Sequence, residues 1–485
     1  MGAGTIRRHI HNAATLFMGS SPRWYKILIA VFLTTNAAVY FSCGPFIAGW
    51  AVLLEFLLVL GMALKSYPLF PGGLLALEAL CLNMTSSTSV MHEITRNIDV
   101  LMLLMFMVPA IYFMQPLLGW LFLRMFSTIR NKILLSLVFL ISGAFLSAWL
   151  DALTVLAVMI SVSVAVRKIY LSVERTSPEE TEAFNGFLRN LLMHGAVGTA
   201  LGGVATLIGE PQNLLIGKYA GWTFQDFYLK MAHFSIPLQG AGILVCLALE
   251  FWRVRAFGFG YRLPERIAAS IEKKSGELLG ENDPAHTTKM IIMSSAFLCL
   301  MLALAFQIAP IGIIGLGFLI CLPVLTGQTN EHEIGKSFEE AMPFAGLLVV
   351  FFVIVAMIES LGLFSPITHM ALQSRGKGQL YAFFLSSGIL SAVSDNVFVA
   401  SIYIHQASNA LTQGVIDRIQ FDKMALLINA GTNIFSILTP NGQAAFLFLL
   451  TSAIARHIGL SYLRMFLMSL PYAVVLISLA YALIG

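Results

Sequence analysis

The sequence predicts an all-α, polytopic membrane protein made of two related halves, and three observations predict it. Of the 485 residues, 58% are hydrophobic and only 11% charged, against about 25% charged in an average soluble domain. The apolar residues run in long blocks near the ~20 residues that a helix needs to cross about 30 Å of hydrocarbon. A ten-residue pattern, LSAxxDxxxV, occurs twice, and each copy is followed by a polar, glycine-containing interruption of apolar sequence.

Residues 1–26 read as a cytoplasmic or interfacial segment. Thr5 to Ser20 mixes Arg7, Arg8 and His9 with Ile6, Leu16, Phe17 and Met18, as an interfacial helix would, although a disordered tail has the same composition. Arg7, Arg8, Arg23 and Lys26 precede the first apolar block and no acid precedes Glu55, which puts the amino terminus on the cytoplasmic side. That block lacks a small-residue cleavage site and reads as a retained anchor. Further blocks start near Pro45, Val100, Ile133, Phe234, Met290, Ile311, Pro343 and Leu463, and with shorter segments suggest roughly ten to twelve spans. The hydrophilic, net basic stretch 253–289 reads as a cytoplasmic linker between a first membrane half, 27–252, and a second, 290–485. Five cysteines lie singly, with neither CxxC pairing nor metal-ligand spacing.

The repeated pattern is Leu146-Ser147-Ala148-Trp149-Leu150-Asp151-Ala152-Leu153-Thr154-Val155 in the first half and Leu390-Ser391-Ala392-Val393-Ser394-Asp395-Asn396-Val397-Phe398-Val399 in the second. The interruptions that follow run from Gly202 to Asn213 and from Gly431 to Gly442. Paired interruptions in two halves mark transporters built from structural repeats, with the binding site at the repeat interface. Hydrocarbon tolerates broken helix only where it is buried in protein or lines a cavity. A first hairpin is expected at about 133–166, where Arg130 and Lys132 at one end and Arg167 and Lys168 at the other put both ends on one side. Its tip falls near Asp151, although two short spans would fit the same residues. A second hairpin is expected at about 380–405, and inverted repeats would bring it in from the opposite face. Arg375 and Lys377 near its start do not favour that orientation. Broken helices are expected at about 188–218 and 424–455.

A charge at the bilayer centre costs about 2.5 to 3.5 kcal/mol on insertion scales, so Asp151, Glu210 and Asp395 need a reason to be there. Binding a cation supplies one. Desolvation raises a carboxylate's proton affinity, and a bound metal cation opposes protonation of the same oxygens. If only loaded states cross the membrane, that competition by itself produces exchange. Asp151 and Asp395 are the leading carriers of metal ion and proton, with Glu210 third. Thr154, Asn213, Asn396, Thr432, Asn433, Thr439 and Asn441 are the candidate neutral oxygen ligands, oxygen being what a hard cation prefers. Each has a blander reading. The aspartates could accept bonds from free amides at a hairpin tip, Glu210 could cap the half-helix after Pro211, and the amides and hydroxyls could satisfy broken backbone. Glu55 and Glu359 read as helix-packing or cavity residues. His194 could tune a pH response or serve as hydrogen-bonded scaffolding.

Enzyme readings fail on motif geometry. His92-Glu93-Ile94-Thr95-Arg96 and His332-Glu333-Ile334-Gly335-Lys336 begin like HExxH but end in Arg and Lys, and Gly335-Lys336-Ser337 lacks the leading glycine of a phosphate loop, Asn330 standing in its place. Neither enzyme activity nor a cofactor is expected, and transport would draw on ion gradients.

The stretches Leu150 to Val155, Gly209-Glu210-Pro211-Gln212-Asn213-Leu214, Ser394 to Val399 and Thr439 to Leu450, with Ser21 to Lys26 and Tyr67 to Leu75, resemble the NhaB family of bacterial sodium/proton antiporters along nearly the whole chain. The resemblance implies electrogenic extrusion of Na+, and of Li+, against inward protons, in the inner membrane of a Gram-negative bacterium. It also implies two inverted structural repeats, two re-entrant hairpins and a homodimer. The partners it implies are the lipid bilayer and the two ions, with no nucleic acid. Sodium-coupled dicarboxylate carriers and other anion transporters of the same superfamily are the alternative, but an acidic residue at each tip favours a cation.

Overall fold

The computed structural model describes residues 12, 15–172, 177–262, 283–339, 341–364 and 376–484. The expected amino-terminal interfacial segment, Arg375 and the linker 253–289 lie largely or wholly outside them. In chain order the helices are α1 (Arg23–Cys43), α2 (Pro45–Gly61), α3 (Leu69–Cys81), α4 (Ser87–Arg96), α5 (Ile98–Tyr112), α6 (Gln115–Thr128), α7 (Lys132–Ser147), α8 (Ala152–Leu171), α9 (Pro178–Gly203), α10 (Pro211–Ala220) and α11 (Phe224–Phe251). There follow α12 (Pro284–Ala305), α13 (Ile311–Thr326), α14 (Glu331–Glu339), α15 (Ala341–Leu361), α16 (Lys377–Val393), α17 (Asn396–Thr412), α18 (Arg418–Phe435), α19 (Ala444–Thr451), α20 (Ala453–His457) and α21 (Tyr462–Leu483). No strand occurs among the described residues.

Six described helices, α1, α8, α11, α12, α15 and α21, are long and apolar enough to cross a membrane, and α2, α3, α7 and α13 are shorter apolar helices. Among the described residues fewer long spans occur than block counting suggests, because several apolar blocks are divided into shorter helices. The 16 residues of α7 rise about 24 Å at 1.5 Å per residue, short of the hydrocarbon thickness.

The chain forms two compact units, one of Met1–Arg96 with Gly346–His369 and the other of Asn97–Ala345 with Met370–Gly485. In the first, buried Asn36 on α1 donates its amide to Glu55 on α2 at 2.6 Å and to Glu78 on α3 at 3.0 Å. Glu55 therefore ties helices together, as its isolated position in an apolar block suggests. Glu359 lines a cleft of about 480 Å³ with Thr88, Ser89, His92 and Ser360.

The second unit holds both copies of the repeated pattern. In each copy a helix leads to a short tip and a second helix, α7 to α8 and α16 to α17. The first arm packs along the helix that precedes the interruption, α7 on α9 and α16 on α18. These contacts are close because glycine replaces side chains at them. A Cβ on Gly198 or Gly202 would overlap the carbonyl oxygens of Leu140 and Ala144, and one on Gly431 would lie 2.7 Å from the Phe384 carbonyl. After the interruption the pairing crosses between halves, with α10 packed on α17 and α19 on α8. Each half thus completes the other.

Candidate functional site

Both aspartates occupy the same structural position. Asp151 is the N-cap of α8 at φ −66°, ψ 135°, and Asp395 is the N-cap of α17 at φ −68°, ψ 134°. Aspartate is strongly preferred there because its side chain accepts from amides that have no partner within the helix. Thr154 donates its backbone N–H at 3.0 Å and its hydroxyl at 3.4 Å, both to Oδ2 of Asp151. Val397 and Phe398 donate their N–H groups to Oδ1 of Asp395 at 2.8 and 3.2 Å. These bonds engage one oxygen of each carboxylate and orient the group.

Two bonds recur at equivalent places in both interruptions. Thr206 Oγ1 donates to the Ala148 carbonyl at the first tip and accepts from the Gly209 N–H at 3.2 Å. Thr439 Oγ1 donates to the Ala392 carbonyl at the second tip and accepts from the Gly442 N–H at 3.2 Å. Each interruption is thus stapled to the tip of its own half. Local sequence explains the breaks. α9 ends at Gly202-Gly203, and Pro211 opens α10 without needing a donor. Thr439, which precedes Pro440, is extended at φ −127°, ψ 151°, as a residue before proline prefers.

This equivalence pairs Glu210, the N-cap of α10 at φ −146°, ψ 144°, with Gln443, the N-cap of α19 at φ −138°, ψ 131°. The two side chains meet, Gln443 Nε2 donating to Glu210 Oε1 at 3.3 Å. Sequence reasoning missed Gln443. The signal was present as Thr-x-x-Gly-Glu at 206–210 and Thr-x-x-Gly-Gln at 439–443, but the acid-to-amide exchange hides it from a search for carboxylates.

Glu210 is buried against Gly203 and lies close enough to both Asp151 and Asp395 to feel their charges. Three carboxylates from two tips and one interruption therefore converge in one unit. Asp151 also borders a narrow pocket of about 10 Å³ beside Leu104, Met107, Trp149, Ile208 and Pro211, a volume on the scale of a single small occupant. A π-helical turn at Leu103–Met107 forms part of its wall, a local irregularity frequent at functional sites.

The neutral candidates divide by environment. Thr154 and Thr439 serve the cap and the staple just described. Asn213 on α10 donates to the Gly203 and Thr206 carbonyls, both at 2.6 Å, and accepts from Asn433 Nδ2 at 3.3 Å. Asn433 in turn accepts from Gln212 Nε2 at 3.0 Å, so these amides bridge the two halves beside the carboxylates. Thr432 turns its hydroxyl to the Ile428 carbonyl of its own helix at 2.8 Å, and its carbonyl receives Ser391 Oγ at 2.8 Å, which ties α16 to α18. Asn396 is buried beside Asp395, and Asn441 is half-buried within the second interruption. His194 belongs to another cluster, with Nδ1 against Tyr472 Oη at 2.7 Å and Nε2 against Glu250 Oε1 at 2.8 Å.

A family model described as "Bacterial Na+/H+ antiporter B (NhaB)" matches residues 6–484. A Na(+)/H(+) antiporter NhaB of Serratia proteamaculans is 48% identical over 481 residues, covering 95% of this chain and 91% of the relative. One of Escherichia fergusonii is 48% identical over 476 residues, covering 95% and 92%. Among solved structures, the Alcanivorax borkumensis YdaH transporter aligns with a TM-score of 0.43 at 14% identity, covering 81% of this chain and 88% of that one.

Proposed function

Because the chain belongs to the NhaB family of bacterial Na+/H+ antiporters, we propose that it extrudes Na+, and Li+, from the cell by letting either ion compete with protons for Asp151, Asp395 and Glu210. The observation that supports this reading is that Asp151 and Asp395 cap the two tips while buried Glu210 opens the first interruption and is joined to Gln443 of the other half, all within one compact unit. Like charges held together in a low-dielectric interior repel strongly, so the cluster is stable only when protons or metal cations neutralise it. Each carboxylate oxygen can hold a proton or face a cation, and loading with one displaces the other. A cluster that crosses the membrane only when loaded then exchanges the two ions without a cofactor.

We infer that the exchange is electrogenic, the three carboxylates carrying more protons than the sodium ions that replace them. In this reading 27–252 and 290–485 are inverted halves joined by 253–289, the two tips enter from opposite faces of the inner membrane, and the protein works as a homodimer. The crosswise packing of α10 on α17 and α19 on α8 supports a two-fold relation between the halves.

The test is reconstitution in liposomes containing a pH dye, with Na+, Li+ or succinate added outside. Na+ and Li+ should drive proton movement in the wild type, and Asp151→Asn and Asp395→Asn should lower the rate about a hundredfold, equivalent to about 2.7 kcal/mol of barrier. Sodium-driven proton movement that persists in correctly inserted Asn variants would refute the assignment of these carriers. Uptake of succinate without proton exchange would move the protein to the anion carriers.

A further inference from the structure

Gln443 stands where the other half carries Glu210, and it is as deeply enclosed, with 1% of its surface exposed against 7% for Glu210. Its Nε2 is used, donating to Glu210. Its Oε1 is buried and has no hydrogen-bond partner among the described residues. An enclosed amide oxygen without a partner carries a desolvation cost of about 1–3 kcal/mol. Such an atom beside a carboxylate is a natural ligand for a hard cation, which draws on side-chain amide oxygens as well as carboxylates. The arrangement differs from that of Asn213 and Asn433, whose amides are spent on each other and on backbone carbonyls.

The Thr staples, the Gly N–H bonds and the backbone angles coincide between the halves, so the difference at 210 and 443 is chemical while the scaffold is shared. Had both places carried an acid, the cluster would hold four carboxylates. Two amides there would leave it two.

We propose that Gln443 is a cation-binding, specificity-determining residue: its amide oxygen joins the coordination of the transported ion while its NH₂ holds Glu210, and its neutrality limits the cluster to three charges. This rests on the carboxylate-competition reading and adds to it the residue that completes the ion's ligands. One acid and one amide are required at the two places, whichever half supplies which.

The experiment compares wild type with Gln443→Ala, Gln443→Met, Glu210→Gln and the exchanged pair Glu210→Gln/Gln443→Glu. Each is assayed for Na+-driven proton exchange in liposomes and for Na+ binding by calorimetry in detergent. Gln443→Ala and Gln443→Met should raise both the KM and the Kd for Na+ about tenfold, the loss expected for one hydrogen-bond-strength contact to a charge. Glu210→Gln should abolish exchange, and the exchanged pair should recover at least a third of the wild-type rate. If a position-443 variant fails to fold, the exchanged pair still decides, since it keeps every side chain's size and the total charge. Unchanged KM and Kd in the position-443 variants, or an exchanged pair that folds but stays inactive, would overturn the proposal while wild-type exchange and its dependence on Asp151 left the parent reading intact. Absence of Na+ binding and exchange in the wild type would defeat both.

Discussion

At the scale of single residues, the second unit separates two uses of buried charge. At the carboxylate cluster Glu210 meets the neutral amide of Gln443, whereas Glu250 is fully engaged. It pairs with Lys132, accepts from His194, and lies 3.4 Å from Ser136 Oγ. His194 continues the chain to Tyr472, so α7, α9, α11 and α21 meet through one buried polar network. His194 is therefore hydrogen-bonded at both ring nitrogens in this arrangement. Removing one partner of such a network strands the other, at a cost of about 3–5 kcal/mol, while removing both with apolar groups of similar size is far milder. Glu250→Ala should accordingly lower the thermal unfolding midpoint of the detergent-solubilised protein well below that of Lys132→Met/Glu250→Met. Equal losses in the two would mean that the network contributes nothing as a unit.

Between helices, what positions the tips is close backbone approach. Gly198 and Gly202 on α9 let α7 lie with its carbonyls against them, and α7 leads directly to the tip whose Ala148 carbonyl is stapled by Thr206. A methyl group at 202 has no room, and overpacking of this kind costs about 1–3 kcal/mol. Gly202→Ala should thus displace the Asp151 tip and impair Na+ affinity and thermal stability together. Gly119→Ala on α6 is the control, because no atom lies within 4 Å of a Cβ built there. Equal tolerance of both substitutions would show that the α7–α9 contact has slack.

Across the whole molecule, both tips and both interruptions lie in one compact unit, and the halves interlock there. On the proposed mechanism, three carboxylates against the charge of one sodium ion would make the potential part of the driving force. Each net charge moved is worth about 2.3 kcal/mol per 100 mV. Imposing a potassium diffusion potential with valinomycin across reconstituted liposomes should accelerate exchange in the direction that relieves the potential and slow the reverse. A rate indifferent to potential would indicate one-for-one exchange.

Sequence by itself determined the all-helical membrane class, the duplication and the three carboxylates. These are properties of composition and local pattern: apolar block length sets spans, Asp at a helix start sets a cap, and Gly or Pro within apolar sequence sets a break. It also allowed two readings of Asp151 and Asp395, as caps or as ion carriers; the structure shows the caps, and the ion role is our proposal. Only the tertiary structure decided which neutral groups surround the acids. Thr432 reads like Asn433 in sequence, yet its hydroxyl is spent on its own helix, while Gln443, unremarked by pattern, meets Glu210 across the halves. The reason is physical: a cap or a break is fixed by residues within one turn of each other, whereas the partner of a buried oxygen is chosen by packing between segments more than 200 residues apart.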